Sequence, residues 1–522
     1  MSDKSFVLPC SPSILRLDRF DVVSSDEPEI PFWRILSCIL AESLNSVMDS
    51  SSLIDILETI SVVLHGEAAR NYEFLTEFLD KYLTTSTTGP SKFFLSTWPR
   101  LVRLALQLPS LFPTHTIPLL KNDENSQVIL SRRQVACLVV HQFLCSLPAH
   151  PWQTESFVNL SPWYSAGEAM HQGAVQAYLT ALFTYFEAIE ASEPNSGVLH
   201  HSVEDWPIIF TLIEMPEGKS PSLLCNAPAT LSRLTVIQLP HQSTDLPYLG
   251  LPDGACVISA NKCVGLGATG TQEELHVGIS PEAYPVSLLA PPLKDRQVLV
   301  CQGAEAMVTT KGHGRWASLD EVLHTRPRSS SANWRNRIML FMDALELDLV
   351  DLVHPHGGGN IPDLMPGYLH RELAKAYTAF SSHYYSGNIR KPYSFVTTGH
   401  WGCGAFGGNK QVKAIIQWYA ASMANVPELR YVLGDAEQKR FGDELIKFVD
   451  QVIEHTRRGL EPRELFDVLV RLGKDIQNGK SCVPYPDEIF EYVLKGVCSD
   501  VCSRYALVTC LSVKIHCGCA VK

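Results

Sequence analysis

The chain has 522 residues, 45% of them hydrophobic and 19% charged, with a formal net charge of −12. That balance describes a globular protein of two to four domains at about 150 residues each, and no apolar run approaches the roughly 18 residues of a membrane helix. The acidic excess argues against broad nucleic-acid binding, and nothing points to sequence-specific binding. The start, MSDKSFVLPCSPS, has no basic region ahead of an apolar core, so secretion is not expected. The fifteen cysteines are then expected to be reduced thiols.

Along the chain, residues 1–29 read as an N-terminal arm and 30–195 as a helical accessory domain, with a loop at 84–91. Ser131-Arg132-Arg133-Gln134 has the side chains of a capping box opening a helix with Val135, Leu138 and Val139 on its buried face. Residues 168–192 read as a second long helix, and 193–202 as a linker. From 203 to 480 short apolar runs alternate with longer amphipathic stretches. Strands are expected at 255–259, 298–301, 337–342, 393–397 and 429–433, and helices at 367–380, 409–425, 438–454 and 462–475. Such alternation implies a three-layer α/β domain around a mixed, largely buried sheet. Residues 481–522 form a Cys-rich tail without Cys-x-x-Cys spacing, so no metal site is expected there. The glycine run HPHGGGN at 354–360 reads as a surface loop, and His354 and His356 lack further ligands nearby.

Two glycine-rich segments carry the chemistry. HWGCGAFGGNKQVKAIIQWYAA (400–421) places four glycines within seven residues, between a strand and an amphipathic helix bearing Val412, Ile415, Ile416, Tyr419 and Met423 on one face. Strand, glycine loop and helix N-terminus make an anion site, because unbonded N–H groups and the helix dipole both face the loop. A tight turn that binds nothing is the alternative. CVISANKCVGLGATGTQEELHVGISPE (256–282) holds a second glycine loop followed by Gln272-Glu273-Glu274. Gly265 to Gly270 also match G-x-G-x-x-G after a strand. A dinucleotide fingerprint needs a full helix next, and Ser280-Pro281 breaks the chain too soon. A Glu-Glu pair alone reads as a solvated helix turn.

Taken together, these two segments in this order resemble the poly(ADP-ribose) glycohydrolase family. IPLLKNDENSQVILSRRQVACLVVHQFLC (117–145) and LHRELAKAYTAF (369–380) add to the likeness, which runs from about Ile117 to Gly473. The resemblance implies a macrodomain fold, a metal-free and cofactor-free glycosidase, and poly(ADP-ribose) and poly(ADP-ribosyl)ated proteins as partners, in nucleus or cytoplasm. By resemblance Glu274 is the acid/base and Glu273 orients the ribose. Adjacent side chains point in different directions and so divide the work. A buried carboxyl beside a second one would have its pKa raised, which suits an acid. Asn261 and Gln272 would contact the ribose end, and Gly404, Ala405 and Phe406 would cradle the diphosphate. Gly265 and Gly267 would meet the diphosphate from the other side, and His313 would stack on adenine.

The chain also departs from the family pattern. Leu266 replaces the middle glycine of a Gly-Gly-Gly run, and the spacer to Gln272 is only Ala268 to Thr271. Ile258 stands where an acid is usual, His313 where an aromatic is usual, and Leu433 where Phe is frequent. These changes are expected to bear on substrate placement. They leave a second reading open, a protein that binds ADP-ribose or its polymer without cleaving it.

Overall fold

A computed structural model describes residues 5–498 apart from 24–26, 67–70, 86–92, 122–124, 151–157, 166–168, 192–205, 216–229, 240–245, 324–332, 349–360, 385–390, 435 and 479–484. The linker at 193–202, the HPHGGGN run and, save Cys498, the tail cysteines lie outside the described residues.

The chain divides into two compact units. One comprises Met1–Glu214, His241–Lys294 and Leu299–Phe341, the other Met215–Pro240, Asp295–Val298 and Met342–Lys522. The division does not follow the sequence boundary near residue 203, because segments from both sides of it share the first unit.

The strands used below are β1 (Ser126–Leu130), β2 (Ile208–Glu214), β3 (Arg233–Gln238), β4 (Ala255–Ala260), β5 (Gln297–Gln302), β6 (Val308–Lys311), β7 (Ser318–Val322), β8 (Ile338–Asp343), β9 (Phe395–Thr398) and β10 (Glu428–Leu433). The helices are α1 (Phe32–Ser46), α2 (Ser50–His65), α3 (Glu73–Thr85), α4 (Trp98–Ala105), α5 (Arg132–Phe143), α6 (Gln172–Ala191), α7 (Gln272–Gly278), α8 (Tyr368–Phe380), α9 (Lys410–Met423), α10 (Ala436–Arg457) and α11 (Arg463–Gln477).

In the first unit, α1 buries Phe32, Ile35, Leu36, Ile39 and Leu40, the i, i+3, i+4 spacing of a one-faced helix. The Ser131 capping box forms as its residues predict. Ser131 accepts from the Gln134 N–H at 3.2 Å, and Gln134 accepts from the Ser131 N–H at 2.9 Å. Yet α5 is buried from Val135 to Phe143 on every side, not on one face. The strands run in the order β1-β2-β5-β8-β4, with β1–β2 and β5–β8 antiparallel, and β6–β7 is a separate antiparallel hairpin. β1 lies inside the stretch expected to be helical. Only Val128 and Leu130 of its five residues are buried, too short an alternation to stand out.

In the second unit β9, β10 and β3 are parallel neighbours in that order. All five strands expected beyond residue 250 are present within two residues at each end, as are three of the four helices; the helix expected at 438–454 runs on to Arg457. β3 escaped the sequence reading because it is half-exposed along its length. α9 is buried from Gln411 to Met423, so it is a central helix. It packs against α8 and α11, with Tyr419 stacked on Phe466 at 5.6 Å.

Candidate functional site

One candidate segment, in the first unit, grows out of β4. The strand ends at Ala260, the chain loops through 261–270, and α7 begins at Gln272. Gln272 turns back onto the strand. Its Oε1 accepts from the Ser259 N–H at 2.6 Å and its Nε2 donates to the Val257 carbonyl at 2.9 Å. Both ends of the amide are thus engaged in holding strand and helix together, which makes Gln272 a brace and not a free ribose contact. Glu273 is buried, 6% exposed. Its carboxylate accepts from the backbone N–H groups of Asn261 at 2.8 Å and Gly265 at 3.1 Å, clamping the loop. Asn261 accepts from the Cys263 N–H at 2.9 Å through Oδ1. Its Nδ2 has no partner among the described residues, so it is available as a donor.

Glu274 is half-buried. The burial assumed for an acid in the sequence argument belongs to Glu273 instead. Glu274 Oε2 accepts from the N–H of Thr269 at 2.7 Å, the Thr269 hydroxyl at 2.9 Å and the N–H of Thr271 at 3.2 Å. Thr271 accepts in turn from the Glu274 N–H at 3.3 Å, completing a capping box. The T-x-x-E spacing was legible in the sequence and could have singled out Thr271 as a residue that seats this carboxyl; Thr269 lies outside it. Gly267 lies against it: a Cβ there would fall 1.9 Å from Glu274 Oε1. The Gly267 carbonyl accepts from the indole N–H of buried Trp163 at 2.7 Å, a support that nothing in the motif announced.

Three departures from the family pattern take on a different meaning. Ile258, Leu266 and Leu433 are all buried, and Ile258 and Leu266 belong to the hydrophobic core of the first unit. Their side chains are packed in the interior, so any effect on substrate placement would act through the backbone they hold. The Leu266 side chain points into the core and the residue forms a β-bridge, while the Ala268 N–H has no partner among the described residues. The Gly265 N–H, by contrast, is taken by Glu273. His313 is exposed on the turn between β6 and β7, which is tied to the first loop by the Gly314 N–H donating to the Gly270 carbonyl at 2.8 Å. Desolvation pulls the His313 pKa below the ordinary imidazole value, and the charge of Glu274 partly offsets this. The helix after G-x-G-x-x-G has seven residues and a glutamate in its first turn. A pyrophosphate would meet like charge there, which removes the dinucleotide reading.

A second candidate segment lies in the other unit, between β9 and α9. Trp401 is fully buried and its indole donates to the Met342 carbonyl at 2.9 Å. The loop closes on itself where the Gly408 N–H donates to the Gly402 carbonyl at 2.9 Å. Gly402 and Gly407 have positive φ, 72° and 66°, and a Cβ on Gly408 would lie 2.7 Å from the Gly402 carbonyl oxygen. These three glycines serve the fold. Gly404 is different: its φ is not positive, and a Cβ would meet nothing within 4 Å. Gly404 and Ala405 are exposed and Phe406 half-exposed. The N–H groups of all three have no partner among the described residues. Asn409 caps α9 by accepting from the N–H groups of Gln411 and Val412, each at 3.0 Å. A closed turn with three unspent N–H groups ahead of a 14-residue helix is an anion cradle.

Residues 252–440 match the family described as poly(ADP-ribose) glycohydrolase (PARG), Macro domain fold, and residues 85–202 match the same family's helical domain. The chain is 22% identical over 426 residues to a probable poly(ADP-ribose) glycohydrolase 2 of Arabidopsis thaliana, covering 72% of this chain and 77% of that protein. It is 24% identical over 337 residues to poly(ADP-ribose) glycohydrolase 1 of Caenorhabditis elegans, covering 64% of this chain and 39% of the relative. Among solved structures, a poly(ADP-ribose) glycohydrolase from Deinococcus radiodurans in complex with ADP-ribose matches with 12% identity, 44% of this chain, 89% of that chain and a TM-score of 0.26.

Proposed function

Since the chain belongs to the poly(ADP-ribose) glycohydrolase family, with a helical domain ahead of an α/β macrodomain, we propose that it hydrolyses the ribose–ribose O-glycosidic bonds of poly(ADP-ribose) and releases ADP-ribose. The observation that carries this is the exposed turn of Gly404, Ala405 and Phe406, whose three N–H groups are unspent and whose first residue is a glycine that the protein itself does not require. A diphosphate supplies the acceptors those donors lack.

Glu274 gives its proton to the departing ribose oxygen as the anomeric C–O bond breaks, then takes one from the water that adds to the cationic carbon. Half-exposure lets the carboxyl exchange that proton with solvent between turnovers. Thr269 and Thr271 fix its orientation. Glu273 shapes the loop that holds Asn261 and orients the ribose. Asn261 offers its free amide N–H to the sugar, and His313 offers a ring face to adenine. Poly(ADP-ribosyl)ated proteins, in nucleus or cytoplasm, are the partners this substrate implies.

A second reading, a reader that binds without cleaving, draws on the commitment of the Glu274 carboxylate to capping α7. The two separate in one experiment. The protein and a Glu274→Gln variant are incubated with poly(ADP-ribose), and released ADP-ribose is quantified beside calorimetric ADP-ribose binding. Release by the parent, lowered about a hundredfold or more in the variant with binding retained, supports the hydrolase. Binding without release from either protein makes it a reader.

A further inference from the structure

The second glycine loop rests on a charged network that nothing above has used. Lys413, one turn into α9, is fully buried. Its ammonium pairs with Glu372 of α8, lies 3.9 Å from Asp363 Oδ1, and sits 4.6 Å from the centre of the Trp401 ring. The loop is wrapped around this side chain. A Cβ on Gly402 would lie 3.3 Å from Lys413 Nζ, and one on Gly408 would lie 2.8 Å from Cε. Asp363, also buried, accepts from the Asn409 N–H at 2.8 Å through Oδ2, while its Oδ1 has no hydrogen-bond partner. Glu372 also accepts from the Leu345 N–H at 3.2 Å. The neighbouring Leu347 and Asp348 N–H groups donate to the Phe406 carbonyl at 2.9 and 3.2 Å. Below them Asp343 is held by Arg371 and Lys375. Buried charges and these backbone bonds together fix the floor, the closing point and the flank of the turn, and among the described residues leave only the N–H groups of 404–406 without partners.

We propose that Lys413 and Asp363 are positioning residues for the diphosphate cradle: they touch no substrate, but hold residues 402–409 in the turn that aims the Gly404, Ala405 and Phe406 N–H groups outward. This rests on the reading of that turn as the diphosphate site. Three N–H donors bind an anion well only if all are aimed before it arrives, because ordering them on binding subtracts from affinity. A methionine at 413 fills the same volume without the charge that anchors Glu372 and faces Asp363. The turn would then sample other conformations, while Glu274, held by its own threonines in the other unit, would be undisturbed.

The test is a KM-against-kcat split, with ADP-ribose affinity measured by calorimetry. Lys413→Met is expected to raise KM for poly(ADP-ribose) and Kd for ADP-ribose by about tenfold or more, with kcat within about threefold, the reverse of Glu274→Gln. If Lys413→Met does not fold, Asp363→Asn decides. It keeps an acceptor for the Asn409 N–H but removes the charge facing Lys413, and is expected to raise both constants by about threefold. A folded Lys413→Met protein with unchanged Kd, or one that loses kcat and KM equally, overturns the proposal while leaving the assignment of the cradle intact. Absence of ADP-ribose binding by the unsubstituted protein overturns that assignment and the proposal together.

Discussion

The two glycine loops are built on opposite electrostatic plans. The first, at 261–270, is held by carboxylates: Glu273 and Glu274 accept the backbone N–H groups of Asn261, Gly265, Thr269 and Thr271. The second, at 402–408, is wrapped around a buried ammonium and keeps three N–H groups unspent. A loop that spends four backbone donors on two acids is built to seat those acids. A loop with spare donors is built to accept an anion. Glycine-richness is common to both and distinguishes neither.

Substitutions that strike one plan and not the other sharpen this contrast. The largest effect is expected at Gly267, where an added Cβ collides with the Glu274 carboxylate. Gly267→Ala should slow ADP-ribose release by about a hundredfold, the usual cost of misplacing a catalytic group, while ADP-ribose binding stays near the parent value. Loss of binding with unchanged turnover would reverse the assignment of the two loops.

Next is Asp363, whose pKa burial lifts from 3.8 to about 6, with the charge of Lys413 opposing that rise. The folded state holds this proton more tightly than the unfolded chain. Its contribution to stability is therefore full below about pH 4 and is lost as pH rises through 6. Unfolding free energies of the parent and Asp363→Asn, measured between pH 4 and 7, should shift in favour of the variant by on the order of 2 kcal/mol. A pH-independent difference would mean that Asp363 does not titrate there.

Gly404→Val tests the second plan alone. A Cβ there meets nothing within 4 Å among the described residues, so the melting temperature should hold while ADP-ribose affinity falls about tenfold, or about 1.4 kcal/mol. A variant that melts early but binds normally would make Gly404 one more structural glycine. The smallest effect is expected from Thr269→Ala, which removes one hydroxyl from Glu274. A loss of about 1 kcal/mol, roughly fivefold in kcat, should be restored by Thr269→Ser.

Much of this was legible in the chain. The strand–loop–helix step at 393–425, the capping box at Ser131 and the Gln-Glu-Glu triplet are local patterns, set by periodicity and by side chains within a few residues. The sequence therefore determined the family, the order of a helical domain and an α/β domain, and the residues to examine. It missed β1 and β3 because short or half-exposed strands carry weak alternation, and β2 because a nearly continuous apolar run shows none; pairing partners up to 195 residues away make them strands. It could not show that Ile258, Leu266 and Leu433 are buried, since burial is a property of packing. Only the tertiary structure could separate Gly404 from Gly402, Gly407 and Gly408, give Glu273 the loop and Glu274 the half-exposed place, and set Lys413 beneath the turn. Each of those distinctions depends on atoms brought close by the fold, where hydrogen bonds, charge and excluded volume act through space and not along the chain.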